Sequence, residues 1–180
     1  MRVIAGKYKG RTLFSPKDQA VRPTTDRIKE NVFNLLQGRT AGACFLDLFG
    51  GSGAMSVEAL SRGARRTVTV DASAESIALV KKNFQKVGIG KEGEILFCSY
   101  DAALNRLSGE KFDLIYLDPP YRADFYEVVL QSILSCGVLA PGGLLVFEHA
   151  TERALNLPEG YALFDSRKYG SVTITILTLA

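Results

Sequence analysis

Apolar positions recur along this chain in two rhythms. Compact runs at Ala43 to Leu48, Val68 to Val70, Glu94 to Cys98, Phe112 to Leu117 and Leu144 to Glu148 have the length of strands buried in a sheet. Between them the spacing lengthens to that of helices. Ile28, Val32, Leu35 and Leu36 recur at i, i+4, i+7 and i+8, which predicts a helix capped by Thr24 or Thr25, with Asp26 in its first turn and Gly38 at its end. Other helices are predicted after the Gly50 to Gly53 turn through Leu60, over 74–87 with Ile77, Val80, Lys81 and Phe84 on one side, from Asp101-Ala102 onward, and over 123–135. Strands alternating with helices imply a parallel sheet with right-handed crossovers.

The rhythm changes near the end. Tyr161 to Lys168 and Val172 to Leu179 are separated only by Tyr169-Gly170-Ser171, which predicts a hairpin and so an antiparallel strand. If the first of the two runs parallel to the rest, the turn falls at the carboxyl ends of the parallel strands, where open α/β sheets bind ligands. Loose alternation over residues 2–14 around Gly6 and Gly10 predicts a short N-terminal hairpin. The expected fold is therefore α/β and Rossmann-like: seven strands, mostly parallel, with an antiparallel strand from the C-terminal hairpin.

Composition narrows the class. The 180 residues fit one domain, and 47% hydrophobic against 23% charged residues is the balance of a globular chain. No run approaches the roughly 18 apolar residues of a membrane span, and the start lacks a signal-peptide core, so a cytoplasmic protein without membrane contact is expected. Cys44, Cys98 and Cys136 lack metal spacing and read as buried thiols, and the single His149 leaves no zinc site or Ser-His-Asp triad to build. Charge is uneven. Residues 1–39 carry nine Lys or Arg against three acids, whereas the other 141 residues carry 13 against 16. A basic segment of this kind points to a polyanionic partner, although a merely solvated face has the same composition. Arg22, Arg27 and Lys29 gather at the start of the first helix, where the dipole also favours a phosphate.

Candidate chemistry lies at strand ends. The run Phe112 to Leu117 breaks off in Asp118-Pro119-Pro120-Tyr121, in which two prolines lack N–H groups and hold the backbone extended. A carboxylate, a carbonyl and an aromatic ring are thereby offered together, a set suited to a planar base bearing an amino group. The first βα turn, Asp47-Leu48-Phe49-Gly50-Gly51-Ser52-Gly53, allows close backbone approach to a ligand but ends in Ser56 where the dinucleotide fingerprint needs Gly or Ala. Asp47 ahead of the turn could bind a ligand ammonium. Asp71, ending the second strand, is placed for ribose hydroxyls. Asp101 could contact a ligand or cap its helix.

These motifs carry a resemblance. Together with Arg2-Val3-Ile4-Ala5-Gly6, Arg22-Pro23-Thr24, Glu58 to Ala64 and Lys168-Tyr169-Gly170, they make the chain similar over its whole length to the bacterial 16S rRNA guanine-N2 methyltransferase family. Residues 42–180 resemble class I S-adenosylmethionine-dependent methyltransferases. The resemblance implies one methyltransferase domain, with residues 1–23 a basic hairpin or arm and 24–180 the catalytic core. It implies that Asp47, Phe49, Gly50, Gly51, Ser52 and Gly53 hold the methionine end of S-adenosylmethionine, Asp71 and Ala72 its ribose, and Asp101 and Ala102 its adenine. Gly51 stands where the family has alanine, and Asp71-Ala72 where it has glutamate and a polar residue. Asp118, Pro119, Pro120 and Tyr121 would be catalytic. Arg2, Lys7, Lys9, Arg11, Arg22, Arg27, Arg122 and Tyr169 are the candidate nucleic-acid contacts. The implied substrate is small-subunit ribosomal RNA or the assembled 30S particle, acted on by a monomer without a metal. A DNA adenine-N6 methyltransferase and a non-catalytic RNA-binding module are the competing readings.

Overall fold

The computed structural model describes residues 1–16, 26–119, 125–153 and 156–180. Five helices and seven strands follow in the order α1 (Asp26–Leu35), β1 (Cys44–Asp47), α2 (Ala54–Ser61), β2 (Arg66–Asp71), α3 (Ala74–Val87), β3 (Gly93–Phe97), α4 (Tyr100–Arg106), β4 (Phe112–Leu117), α5 (Phe125–Cys136), β5 (Leu139–Ala150), β6 (Tyr161–Tyr169) and β7 (Val172–Leu179). The sheet order is β3-β2-β1-β4-β5-β7-β6. The first five strands pair in parallel, while β7 is antiparallel to both neighbours, so β6 runs with the parallel set. The β6–β7 turn therefore does lie at the carboxyl edge.

Local chemistry explains the boundaries. Ser73 caps α3 by accepting from the Ser76 N–H, and Gly88 ends it in the left-handed conformation. Side-chain alternation splits the core in two. Phe45, Leu114, Tyr116, Leu144, Val146 and Ile176 face α1, α2 and α3, whereas Leu46, Ile115, Leu117, Leu145 and Phe147 face α4 and α5. Among the described residues no helix is long and apolar enough to cross a membrane.

The N-terminal hairpin forms, with an antiparallel bridge between Arg2 and Thr12. It is laid along α2: Ile4 and Ala5 donate to the Glu58 carboxylate, and Lys7 and Tyr8 donate to the carbonyl and hydroxyl of Ser61. Gly6 makes this approach possible, because a Cβ there would sit 1.8 Å from the Ser61 carbonyl oxygen. Val3, Tyr8 and Leu13 are buried in the α1–α3 core.

Several expectations change. Lys29 is not a phosphate ligand: it is fully buried, 3.5 Å from Glu58 and 3.7 Å from Asp26, and donates to the Arg2 carbonyl. Phe33 also joins the α1 stripe, while Ile28 and Leu35 stay half-exposed. On α3 the buried polar residue is Asn83, and Lys81 faces solvent. Strand β5 is longer than Leu144 to Glu148 because residues ahead of Pro141-Gly142-Gly143 already pair with β4 across an irregularity. Only Cys44 is fully buried, Cys98 and Cys136 being half-exposed.

Candidate active site

Register brings the strand-end acids together. Asp47 lies opposite Thr69 of β2 and Tyr116 of β4. Asp71 and Asp118 each stand two positions further on, so all three carboxylates line the carboxyl edge of adjacent strands, on the face toward α2. The glycine turn closes over them. Gly50 donates to the Val70 carbonyl at 2.8 Å, and a Cβ on it would lie 2.3 Å from the Thr69 methyl, so only glycine fits this crossing. Gly51 donates to Asp71 Oδ2 at 2.9 Å and Ser73 to Asp71 Oδ1 at 2.8 Å, which fixes the carboxylate toward the turn. From behind, Asn83 holds the turn by donating to the Ser52 carbonyl while pairing twice with the backbone of Phe14.

Asp47 is 1% exposed. Its Oδ2 accepts from Ser56, which in turn accepts from Thr69, but its Oδ1 has no hydrogen-bond partner among the described residues. Burial, reinforced by the charges of Asp71 and Asp118 and opposed by the Ser56 hydroxyl and, least, by the nearby Phe49 backbone N–H, pushes its carboxyl up to about 7. A buried carboxylate short of partners at a ligand-binding edge is an acceptor suited to a cationic group.

Phe49 leaves the turn and meets Tyr100 and Phe125, with ring centroids 5.1–5.9 Å apart. This aromatic wall was only one-third legible, since Tyr100 and Phe125 sit just inside helices and carry no motif. Asp101 is exposed in the first turn of α4, its carboxyl held below the usual range by the Ser99 hydroxyl and nearby backbone N–H groups; the cap position belongs to Ser99. Ala102 beside it is exposed too. A cleft of about 660 Å³ between α4, α5 and residues 156–158 includes Asp101 but none of the three strand-end acids, so it is separate from their crevice.

Asp118 is half-buried and Pro119 buried. Pro120, Tyr121, Arg122 and Arg22 lie outside the described residues. Next to Asp118 is a group that carries no motif in the sequence: Tyr116, buried in β4, donates its phenol to Glu148, two residues before the end of β5. A signal was present nonetheless, because Glu148 closes an apolar run just as Asp47, Asp71 and Asp118 do.

The basic candidates separate into two sets. Arg2 lies beside Asp26 at the start of α1, with Arg27 exposed next to it, and Tyr169 packs against the same core cluster as Met1 and Ile28. Lys7 and Lys9 sit at the hairpin turn, beside the last residue of α2 and so toward the opposite edge of the sheet. Arg11 is engaged there, donating to the Val87 carbonyl and covering the Tyr8 ring.

The seven-stranded sheet with its antiparallel β7, covered by helices on both faces and carrying acids and a glycine turn at its carboxyl edge, defines a class I methyltransferase fold. A hypothetical protein of Thermus thermophilus shares it at a TM-score of 0.85 and 30% identity, with 99% of each chain covered. The chain belongs to the family described as conserved hypothetical protein 95, whose model matches residues 1–178. It is 31% identical to the ribosomal RNA small subunit methyltransferase D of Haemophilus influenzae, over 96% of this chain and 91% of that protein. Against the Escherichia coli K12 protein of the same name the identity is 30%, over 96% and 86%.

Proposed function

We propose that the protein transfers a methyl group from S-adenosylmethionine to the exocyclic N2 amine of a guanine in small-subunit ribosomal RNA, acting in the cytoplasm as a monomer on the RNA or the assembled 30S particle. The observation that carries this reading is the crevice itself: three strand-end carboxylates around a glycine cradle, one of them buried with an unpartnered oxygen. Relatives named for small-subunit rRNA methylation support the substrate.

The residues fit that cofactor. Asp47 Oδ1 can accept from its ammonium, the Gly50 to Gly53 turn packs tightly on Thr69, Val80 and Phe84 and so holds its backbone at the crevice, and Asp71 has lone pairs left for ribose hydroxyls after its two backbone bonds. When bound, the cofactor supplies an electrophilic methyl on a sulfonium, and the C–S electron pair returns to sulfur without needing an acid.

The chain therefore acts on the amine. A guanine N2 lone pair is delocalised into the ring, and hydrogen bonds from its two hydrogens to Asp118 and the Pro119 carbonyl favour the pyramidal nitrogen that forms the new N–C bond. Asp118 also stabilises the positive charge that develops there. The nitrogen then sheds its extra proton to Asp118 or water, leaving a neutral secondary amine. Tyr121 would stack on the flipped base.

Methyl transfer from labelled cofactor to small-subunit particles, free rRNA and DNA, followed by nucleoside analysis, tests the reading. N2-methylguanosine from the RNA samples is expected, with kcat lowered about 10²-fold in Asp118→Ala at little change in cofactor affinity. N6-methyladenine in DNA, or no transfer at all, would overturn it.

A further inference from the structure

Asn83 is the one polar side chain in the buried stripe of α3, which otherwise consists of Ile77, Val80, Phe84 and Val87. An amide buried there costs free energy unless its hydrogen bonds are made. Two distant segments make them. Its Nδ2 donates to the Ser52 carbonyl of the glycine turn at 2.8 Å and to the Phe14 carbonyl at 3.1 Å, while its Oδ1 accepts from the Phe14 N–H at 2.8 Å. Both amide hydrogens and the oxygen are engaged, and the Phe14 N–H, a donor, fixes which end is which. Val80 and Phe84 lie on the same face, 3.1 and 3.3 Å from where a Cβ on Gly53 would stand, so the turn rests on this side of α3.

The other bonds of the turn show what that contact does. Gly50 donates to Val70 and Gly51 to Asp71 Oδ2, which holds the peptides on the amino side of the turn. The Ser52–Gly53 peptide is held at both ends, its carbonyl by Asn83 and its N–H by the Gly50 carbonyl at 2.7 Å. Between them, the Gly51–Ser52 peptide has no such bond among the described residues, and a Cβ on Gly51 would meet nothing within 4 Å. This uncommitted peptide lies at the open tip of the turn, and the fixed peptides on either side set its direction. The same amide grips the N-terminal hairpin. Phe14 follows Leu13, which donates to the Met1 carbonyl, and the Ser52 hydroxyl lies 3.8 Å from the Met1 sulfur. Both ends of the hairpin thus meet the turn at Ser52.

We infer that Asn83 is a positioning residue for S-adenosylmethionine: it aims the Gly51–Ser52 peptide at the cofactor and makes the open end of the hairpin part of the cofactor site. Asn83 is fully buried, so it acts through Ser52 rather than by contact. A cofactor held against that peptide steadies Ser52, Asn83 and the hairpin together, and local opening of the hairpin becomes rarer. The inference rests on the placement of the cofactor at this turn and is independent of the base that is methylated.

The test uses the whole chain with S-adenosylmethionine as the probe and needs no RNA. Calorimetry gives cofactor affinity, and urea unfolding checks the fold. Residue-resolved hydrogen exchange at saturating cofactor follows the Leu13 N–H, whose partner, the Met1 carbonyl, the substitution leaves in place; the Glu110 N–H, bonded to Leu107 in the turn after α4, is the remote reference. In wild type the cofactor should slow exchange at Leu13 about tenfold more than at Glu110. Asn83→Leu, which keeps the size and makes the stripe wholly apolar, should weaken the cofactor about tenfold and bring Leu13 to within about twofold of Glu110. Unchanged affinity in a folded Asn83→Leu overturns the inference. Weakened affinity with the slowing at Leu13 intact would mark Asn83 as a structural prop and overturns it equally. So does a wild type in which Leu13 is slowed no more than Glu110, a result that stands even if the variant fails to fold. A wild type that binds no S-adenosylmethionine overturns the cofactor placement together with this role.

Discussion

Asp47 and Glu58 are both buried carboxylates, one just before the glycine turn and the other on the helix just after it, and they are treated in opposite ways. Glu58 accepts from Ile4, Ala5 and Arg62 at 2.8–3.1 Å and pairs with buried Lys29. Its charge is compensated inside the chain, and its partners come from the N-terminal hairpin, α1 and α2, so it works as a staple. Asp47 receives the Ser56 hydroxyl and has two more carboxylates for neighbours, a surrounding that disfavours its charge. Burial alone therefore does not mark a functional acid. What separates the two is whether the fold supplies the countercharge, as it does for Glu58 and does not for Asp47 among the described residues.

The sharpest way to break the comparison is Glu58→Ala. It leaves buried Lys29 with only the partly exposed Asp26, 3.7 Å away, as countercharge and removes the acceptor for Ile4, Ala5 and Arg62, so a loss of about 3–5 kcal/mol is expected from urea unfolding. Asp47→Asn should behave in the reverse manner, leaving the free protein folded while weakening the cofactor about 10- to 100-fold by calorimetry, the scale of one lost charge-assisted hydrogen bond. Equal destabilisation by both variants would erase the distinction.

Acidity sharpens it further. The Asp47 carboxyl is raised in the folded state, to about 7, so its contribution to stability is fully present below the unfolded carboxylate range and is lost as pH rises through 7. Between about pH 4 and 7 this term should lower unligated stability by up to roughly 1.4 kcal/mol per pH unit, and the slope should vanish in Asp47→Asn. Cofactor affinity should run the other way. The ammonium requires the ionised acid, so binding releases a proton below pH 7 and tightens as pH rises toward it, unless Asp47 is Asn. The mildest test separates the ends of the hairpin that Glu58 anchors. Arg2→Ala with Arg27→Ala should flatten the salt dependence of RNA binding by about 0.7 to 0.9 per lost phosphate contact, whereas Lys7→Ala with Lys9→Ala, near the opposite edge, should change it less. Equal slopes for the two pairs would remove the division.

Element types and order followed from run length and periodicity, since short apolar runs such as Phe112 to Leu117 have the length of buried strands and the stretch over 74–87 has a helical spacing. The alignment of Asp47, Asp71 and Asp118 was legible as well, because parallel strands ending in acids must place them along one edge. Long-range pairing was not. A lysine in an amphipathic helix reads as solvated, and nothing local to Lys29 announces Glu58 on another element as its partner. The split of the basic segment depends on which way the hairpin lies along α2, and this is decided by the contacts of Glu58 and Ser61 rather than by charge. Glu148 was hidden in plain view: its β5 run was recognised for its apolar residues, and the acid closing it was given no role.

The place of β7 in the sheet has a consequence for how the protein is made. The strand enters between β5 and β6 although it follows both in the chain, and β6 pairs with β7 alone. During synthesis β5 and β6 thus leave the ribosome before the strand that pairs with both of them. The Glu148 end of β5 gains its second neighbour only when residues 172–179 emerge and slide into the gap. A nascent chain stopped just short of them would own every acid of the crevice and still present an open, aggregation-prone seam.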